Sequence, residues 1–239
     1  MSSYQADGYL LGRFAHSPTH RILLAALAEI RTGTLRPDFY FMGKPSRRDV
    51  KPRPFEYSDA IIDILHENNI VEFVGRAVGH PVTLVNVAIV DSLPPGYFTN
   101  WHADNFVPAV HKVIFYPAFG APPSKRIDVL AGHIKPFGAG GWRERLSVNE
   151  RVIRVEPIVA RHRVHSISSS DHEFLLVNTQ TLHRTHKVTG GGDLRLLYSF
   201  RAPFTSVEDR KRYLSQSVGT LDDQLALEEQ FRSREPHHA

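Results

Sequence analysis

The pattern of apolar and polar positions changes character near residue 80. Before it, the spacing is helical. Ile22, Leu23, Ala26, Leu27 and Ile30 recur at i, i+1, i+4, i+5 and i+8 behind Ser17-Pro18, one face of an amphipathic helix that ends near Gly33. Ser58-Asp59 opens a second helix carrying Ile61, Ile62, Ile64 and Leu65. Ile70 to Val78 predicts a third, stopped by Gly79-His80-Pro81. Beyond residue 80 the apolar runs are short and rich in β-branched residues. Val82 to Val90, Lys112 to Tyr116, Arg151 to Val159, Glu173 to Val177, Leu182 to Thr189 and Leu194 to Phe200 read as strands. Gly- and Pro-containing breaks at 93–96, 117–123 and 136–141 separate several of them. Ser206 opens a C-terminal helix, and Thr220 with Asp223 resembles a capping box for another. Strands after a helical start predict a β-sandwich or barrel braced by helices.

No internal repeat and no composition break divides the chain. The expectation is a single domain over residues 1–239, with helical support and a basic loop in 1–81, the β core in 82–204 and helices in 205–239. The loop holds Pro37, Pro45, Pro52 and Pro54 with Arg47, Arg48, Lys51 and Arg53. It reads as a solvated connector or as a lid over an anionic substrate.

Composition narrows the chemistry. The chain has no cysteine, which excludes disulfides, thiolate nucleophiles and Cys-held zinc or iron–sulfur sites. Any transition metal must therefore be held by histidines and carboxylates, and 14 histidines make that worth pursuing. The formal charge of +4 is mild for 239 residues and suits a small anionic ligand better than a nucleic-acid groove. No apolar run is long enough for a membrane span, and the first residues lack the layout of a secretory signal. A cytoplasmic protein without a membrane partner is expected; oligomeric state is open.

The sharpest local feature is Asn100-Trp101-His102-Ala103-Asp104-Asn105. Residues i and i+2 of a strand share a face, so His102 and Asp104 can offer an imidazole and a carboxylate to one metal ion. A third ligand from elsewhere, with positions left open, completes the triad of non-haem Fe(II) sites. A buried strand ending at Val177 leads to His183, then His186, Gly190-Gly191-Gly192 and Arg195. If those glycines form a hairpin loop, Thr189 pairs with Asp193, and His183 and Arg195 share a face while His186 points away. A loop longer by one residue reverses the choice, so His183 and His186 both remain candidates.

His102-Ala103-Asp104, the later Leu182-His183 and an arginine about a dozen residues on resemble the Fe(II)/2-oxoglutarate-dependent dioxygenases. Leu130-Ala131-Gly132-His133-Ile134-Lys135 is similar to a stretch of the phytanoyl-CoA dioxygenase-like group, with one residue missing. The order Leu-His-Arg, Val-Thr, Gly, Arg resembles the prolyl-hydroxylase-like branch. The resemblance covers roughly residues 84–204. It implies a mainly β fold with flanking helices, a double-stranded β-helix (jelly-roll, cupin-like), with iron at one end. His102, Asp104 and His183 would be the catalytic iron ligands. Arg195 would bind the distal carboxylate of 2-oxoglutarate, which a guanidinium can grip bidentately. Asn86 and Tyr116 lie on core strands where this superfamily often contacts 2-oxoglutarate. The family's Arg-x-Ser element is not met; Ser199, four positions after Arg195, stands nearest to that role.

The resemblance implies Fe(II) as cofactor and 2-oxoglutarate with O2 as co-substrates. The expected reaction is hydroxylation of a C–H bond in a small polar or anionic molecule, with release of succinate and CO2. Asp104 is a carboxylate, which disfavours halogenation. Two rivals stand. One is a nucleic-acid or protein demethylase of the same superfamily: Arg195 and Arg201 resemble an arginine pair of the nucleic-acid demethylases, but no interleaved aromatic stripe for stacking bases accompanies them. A non-catalytic jelly-roll binding protein would have no need of an arginine for 2-oxoglutarate. Of the remaining residues, His162 and His165 read as solvated or hydrogen-bonded, and Trp101 as core.

Overall fold

A computed structural model describes residues 3–32, 58–92, 101, 110–115, 125–132, 163–168, 173–185 and 193–208. The chain begins with a short helix α1 (Ser3–Asp7) and a strand β1 (Tyr9–Arg13), then helices α2 (Pro18–Thr32), α3 (Ser58–Glu67) and α4 (Ile70–Val78). Strands follow: β2 (Thr83–Ser92), β3 (Val110–Phe115), β4 (Lys125–Leu130), β5 (Val164–Ser168), β6 (Glu173–Asn178), β7 (His183–Thr185) and β8 (Asp193–Arg201). The three helices expected before residue 80 are all present. Gly79 caps α4 with φ 87° and its N–H bonded to the Gly75 carbonyl, a left-handed turn that glycine adopts without steric cost.

The strands form two antiparallel sheets, one of five strands in the order β1-β6-β3-β8-β2 and one of three in the order β5-β4-β7. Alternate residues of the larger sheet serve different partners. Val113, Phe115, Leu176, Leu196, Tyr198 and Phe200 pack on the helices. Ile114, Leu175, Val177 and Leu197 meet Ile127, Val129 and Ile167 of the smaller sheet. The large sheet is thus the middle layer of three. That explains its near-continuous apolar strands, since a sheet covered on both faces has no polar side to alternate with. Two packed antiparallel sheets with flanking helices agree with a jelly-roll arrangement.

Three expectations are revised. Residues 9–13, placed in a helical segment, form a strand that pairs with β6 from Tyr9↔Val177 to Arg13↔Glu173. Gly12 lies under the Phe174 ring there: a Cβ on it would stand 2.2 Å from the ring carbon Cζ. Lys125–Leu130 and Val164–Ser168 are strands that the periodicity did not single out. Finally, β7 and β8 are not the two arms of one ladder. β7 pairs with β4 in the small sheet and β8 with β2 and β3 in the large one. The chain crosses between sheets here, so the parity of a hairpin does not relate His183 to Arg195. The expected strand 151–159, the basic loop and the helix from Thr220 lie outside the described residues, and the helix expected from Ser206 is described only at its start.

Candidate functional site

Of the expected site residues, His183 and Ser199 lie in the space between the two sheets. On β7, Val129↔His183 and Ile127↔Thr185 are paired residues. Val129 and Ile127 both enter the inter-sheet core, so His183 enters it too, and it is 4% exposed. A turn delivers it, with the Thr181 N–H bonded to the Asn178 carbonyl and the Gln180 N–H to the Asn178 side chain. Nδ1 of His183 stands 2.9 Å from the Thr181 carbonyl oxygen. A carbonyl only accepts, so Nδ1 carries the hydrogen of this bond. Metal-binding histidines are held in the same way, one ring nitrogen donating to a backbone carbonyl while the other ligates.

Residues on β8 alternate about Leu197, which enters the same core. Arg195, Ser199 and Arg201 share its phase, while Leu196, Tyr198 and Phe200 face the helices. Ser199 is 6% exposed and paired with Lys112 on one side and Asn86 on the other. Asn86 owes its place to a register shift between Leu84 and Asn86. Plain alternation would put it in phase with Leu84, which packs toward the helices. The extra residue moves it into phase with Ser199, and a one-residue shift flips a strand's faces. Arg195 pairs with Val90, four residues along β8 from Ser199, about 13 Å at the rise of an antiparallel strand.

Two rows of residues face each other across the sandwich. One runs Tyr9–Val177–Lys112–Ser199 over the large sheet, with Asn86 at the next register position. The other runs His165–Val129–His183 over the small one. The Tyr9 hydroxyl hydrogen-bonds Nδ1 of His165 and joins the two rows at one edge. Sequence reasoning passed over Lys112, a cation only 9% exposed in this row. Its strand, Val-His-Lys-Val-Ile-Phe, gives no sign of which polar residue turns inward.

On the other face of the small sheet, Asp128 is buried between Ser166 and Arg184. It accepts from Ser166 Oγ at 2.6 Å and from Arg184 Nε at 2.8 Å. The Arg184 guanidinium lies 4.9 Å from the ring centroid of Trp101, which is 9% exposed. Trp101 is therefore core, as its sequence suggested, and His165 is hydrogen-bonded.

His102, Asp104, Tyr116 and His186 lie outside the described residues, and of Asn86 and Arg195 only the strand positions are described. Among the described residues no three histidines, cysteines or carboxylates stand together as a metal cluster. Among them, too, no helix is long and apolar enough to cross a membrane.

No protein-family profile and no curated sequence matches the chain. Solved structures share its fold. AviO1 from Streptomyces viridochromogenes is 17% identical, with a TM-score of 0.58 over 85% of this chain and 95% of that one. The epimerase SnoN, in complex with Fe3+, alpha-ketoglutarate and nogalamycin RO, is 12% identical, with a TM-score of 0.62 over 84% of this chain and 81% of that one. EctD from S. alaskensis, with 2-oxoglutarate and 5-hydroxyectoine, is 13% identical, with a TM-score of 0.59 over 84% of this chain and 74% of that one.

Proposed function

We propose that this chain is a non-haem Fe(II)- and 2-oxoglutarate-dependent oxygenase of the dioxygenase superfamily that its motifs resemble. In this reading it is a single-domain cytoplasmic enzyme with a double-stranded β-helix core. It hydroxylates a C–H bond of a small polar or anionic molecule, with succinate and CO2 as the other products. The observation that carries the reading is His183: buried, on the inner face of the small sheet beside Val129, with Nδ1 held by the Thr181 carbonyl as metal-binding histidines are held. The fold supports it, since SnoN and EctD share it and are described with alpha-ketoglutarate or 2-oxoglutarate.

His102, Asp104 and His183 would hold Fe(II), an imidazole and carboxylate set that suits this ion. Bound there, Fe(II) and 2-oxoglutarate supply the oxidising chemistry, with O2 as the oxidant. The chain's own residues do the rest. Arg195 would pair the distal carboxylate of 2-oxoglutarate, with Asn86, Tyr116 and Ser199 offering further polar contacts. Leu197, Ile114 and Val129 keep water out of the inter-sheet space, which strengthens each charge pairing inside it.

SnoK, another protein of this fold, is described as a carbocyclase and SnoN as an epimerase. How the substrate lies against the metal therefore has to select among hydroxylation and its alternatives, and product analysis distinguishes them. The deciding experiment is an anaerobic titration of the protein with Fe(II) and then 2-oxoglutarate. A metal-to-ligand absorption band of the chelate is expected. It should be absent from His102→Ala, Asp104→Ala and His183→Ala proteins that keep their circular dichroism. Without such a band in the wild type, the binding-protein reading takes over.

A further inference from the structure

Resting on that reading, we infer that Ser166, Asp128, Arg184 and Trp101 form a clamp that positions the iron ligands from the far side of the small sheet. The first three make a single row across adjacent strands, with Asp128 paired to Ser166 on β5 and to Arg184 on β7. The row is offset by one residue from the inner row His165–Val129–His183, so it lies on the opposite face. Its end is the stacking of Arg184 on Trp101. Trp101 is the residue before His102, and Arg184 is the residue after His183. One side-chain contact thus ties together the two chain segments, 81 positions apart, that the triad draws on.

The chemistry of the row suits that task. Asp128 has 2% of its side chain exposed, against 44% for Arg184. A carboxylate that deep must be compensated, and it takes one hydrogen bond from a hydroxyl on one neighbouring strand and one from a guanidinium on the other. The Nε–H used for Asp128 fixes the plane of the guanidinium, which leaves its face to the indole. A cation over an indole is attracted by the ring quadrupole, more so when desolvated, and Trp101 is 9% exposed. Because Arg184 and His183 are consecutive on a strand, fixing one side chain outward fixes the other inward. None of these four residues is a catalytic residue. They act through their own chain positions beside the ligands, Trp101 before His102 and Arg184 after His183, as outer partners of metal ligands do when they orient them.

Titration of the full-length protein with Mn(II), followed by the electron paramagnetic resonance of the free ion, tests this without turnover. Loss of an orienting partner typically weakens metal binding about 10–100-fold. Trp101→Ala and Arg184→Gln should each fall in that range, and the double variant should be no weaker than either alone, because both break one linkage. Trp101→Phe keeps a ring under the guanidinium and should stay within about threefold of the wild type. The metal-free melting temperature of each variant separates positioning from general damage; Trp101→Phe and Arg184→Gln decide the matter if Trp101→Ala fails to fold. Wild-type affinity in Arg184→Gln, or losses that simply add in the double variant, overturns the clamp and leaves the metal site standing. A wild type that binds no Mn(II) removes the metal site and the clamp with it.

Discussion

At the scale of single residues, histidine placement decides most of the chemistry. His183 and His186 were both open as the third ligand from the sequence. The ring of His183 is buried and anchored to a carbonyl, while His186 lies outside the described residues. His183→Ala should abolish Fe(II) binding and turnover, and His186→Ala should keep a measurable fraction of both; the reverse pattern in a succinate-release assay would move the ligand to His186. A different histidine carries a stability prediction. His111 on β3 faces α1, where the Tyr4 hydroxyl lies 2.6 Å from its Nδ1. Burial pushes its imidazole down to about 4. Unfolded, the ring titrates near 6.5, so between those values the unfolded chain holds the extra proton. The resulting stability is complete above pH 6.5 and drains away as pH falls to about 4. A 2.5-unit gap is worth roughly 3 kcal/mol. Urea unfolding of His111→Gln against wild type from pH 7.5 to 4 should show the variant losing less stability on acidification. Parallel curves would mean that His111 does not titrate in this window.

At the scale of elements, β1 and β8 show what a strand's surroundings add to its sequence. Tyr-Leu-Leu-Gly-Arg is a weak strand on its own, and β1 exists because β6 offers it an edge. Its Gly12 is a matter of space. The Phe174 ring above it packs edge-on to Phe73 and tilted to Phe14, so it has nowhere to retreat. Gly12→Ala should cost about 1–3 kcal/mol, as overpacking does. A lower denaturant midpoint with an unchanged slope is the expected result, and Phe174→Leu in the same chain should recover part of the loss. On β8, Arg195 keeps the phase of Leu197, which enters the inter-sheet core. Truncating one member of a buried ion pair costs about 3–5 kcal/mol. Arg195→Ala should therefore weaken 2-oxoglutarate binding by roughly two to three powers of ten with Fe(II) still bound. An unchanged titration of the chelate band would assign the carboxylate to another cation, and the buried Lys112 is the first to examine.

At the scale of the whole molecule, a site made between two sheets links ligand binding to stability. A ligand held by both sheets binds only the folded state, and at a hundredfold excess over its dissociation constant adds about 2.7 kcal/mol. Mn(II) with 2-oxoglutarate should raise the melting temperature more than Mn(II) alone, and Arg195→Ala should keep the metal increment while losing the second. Equal increments in both proteins would mean that Arg195 does not hold 2-oxoglutarate.

The sequence by itself determined the three helices before residue 80 and several of the strands, because their apolar periods follow from backbone geometry within a dozen or so residues. It also limited the ligands open to any transition metal, since without cysteine only imidazole and carboxylate remain. What it could not determine are relations between distant segments. The register shift that brings Asn86 into phase with Ser199, the crossing of the chain from β7 in one sheet to β8 in the other, and the burial of Lys112 and Asp128 each depend on which strands become neighbours. That choice is made by packing two sheets and a helical layer around shared cores, a condition that no local window of the chain contains.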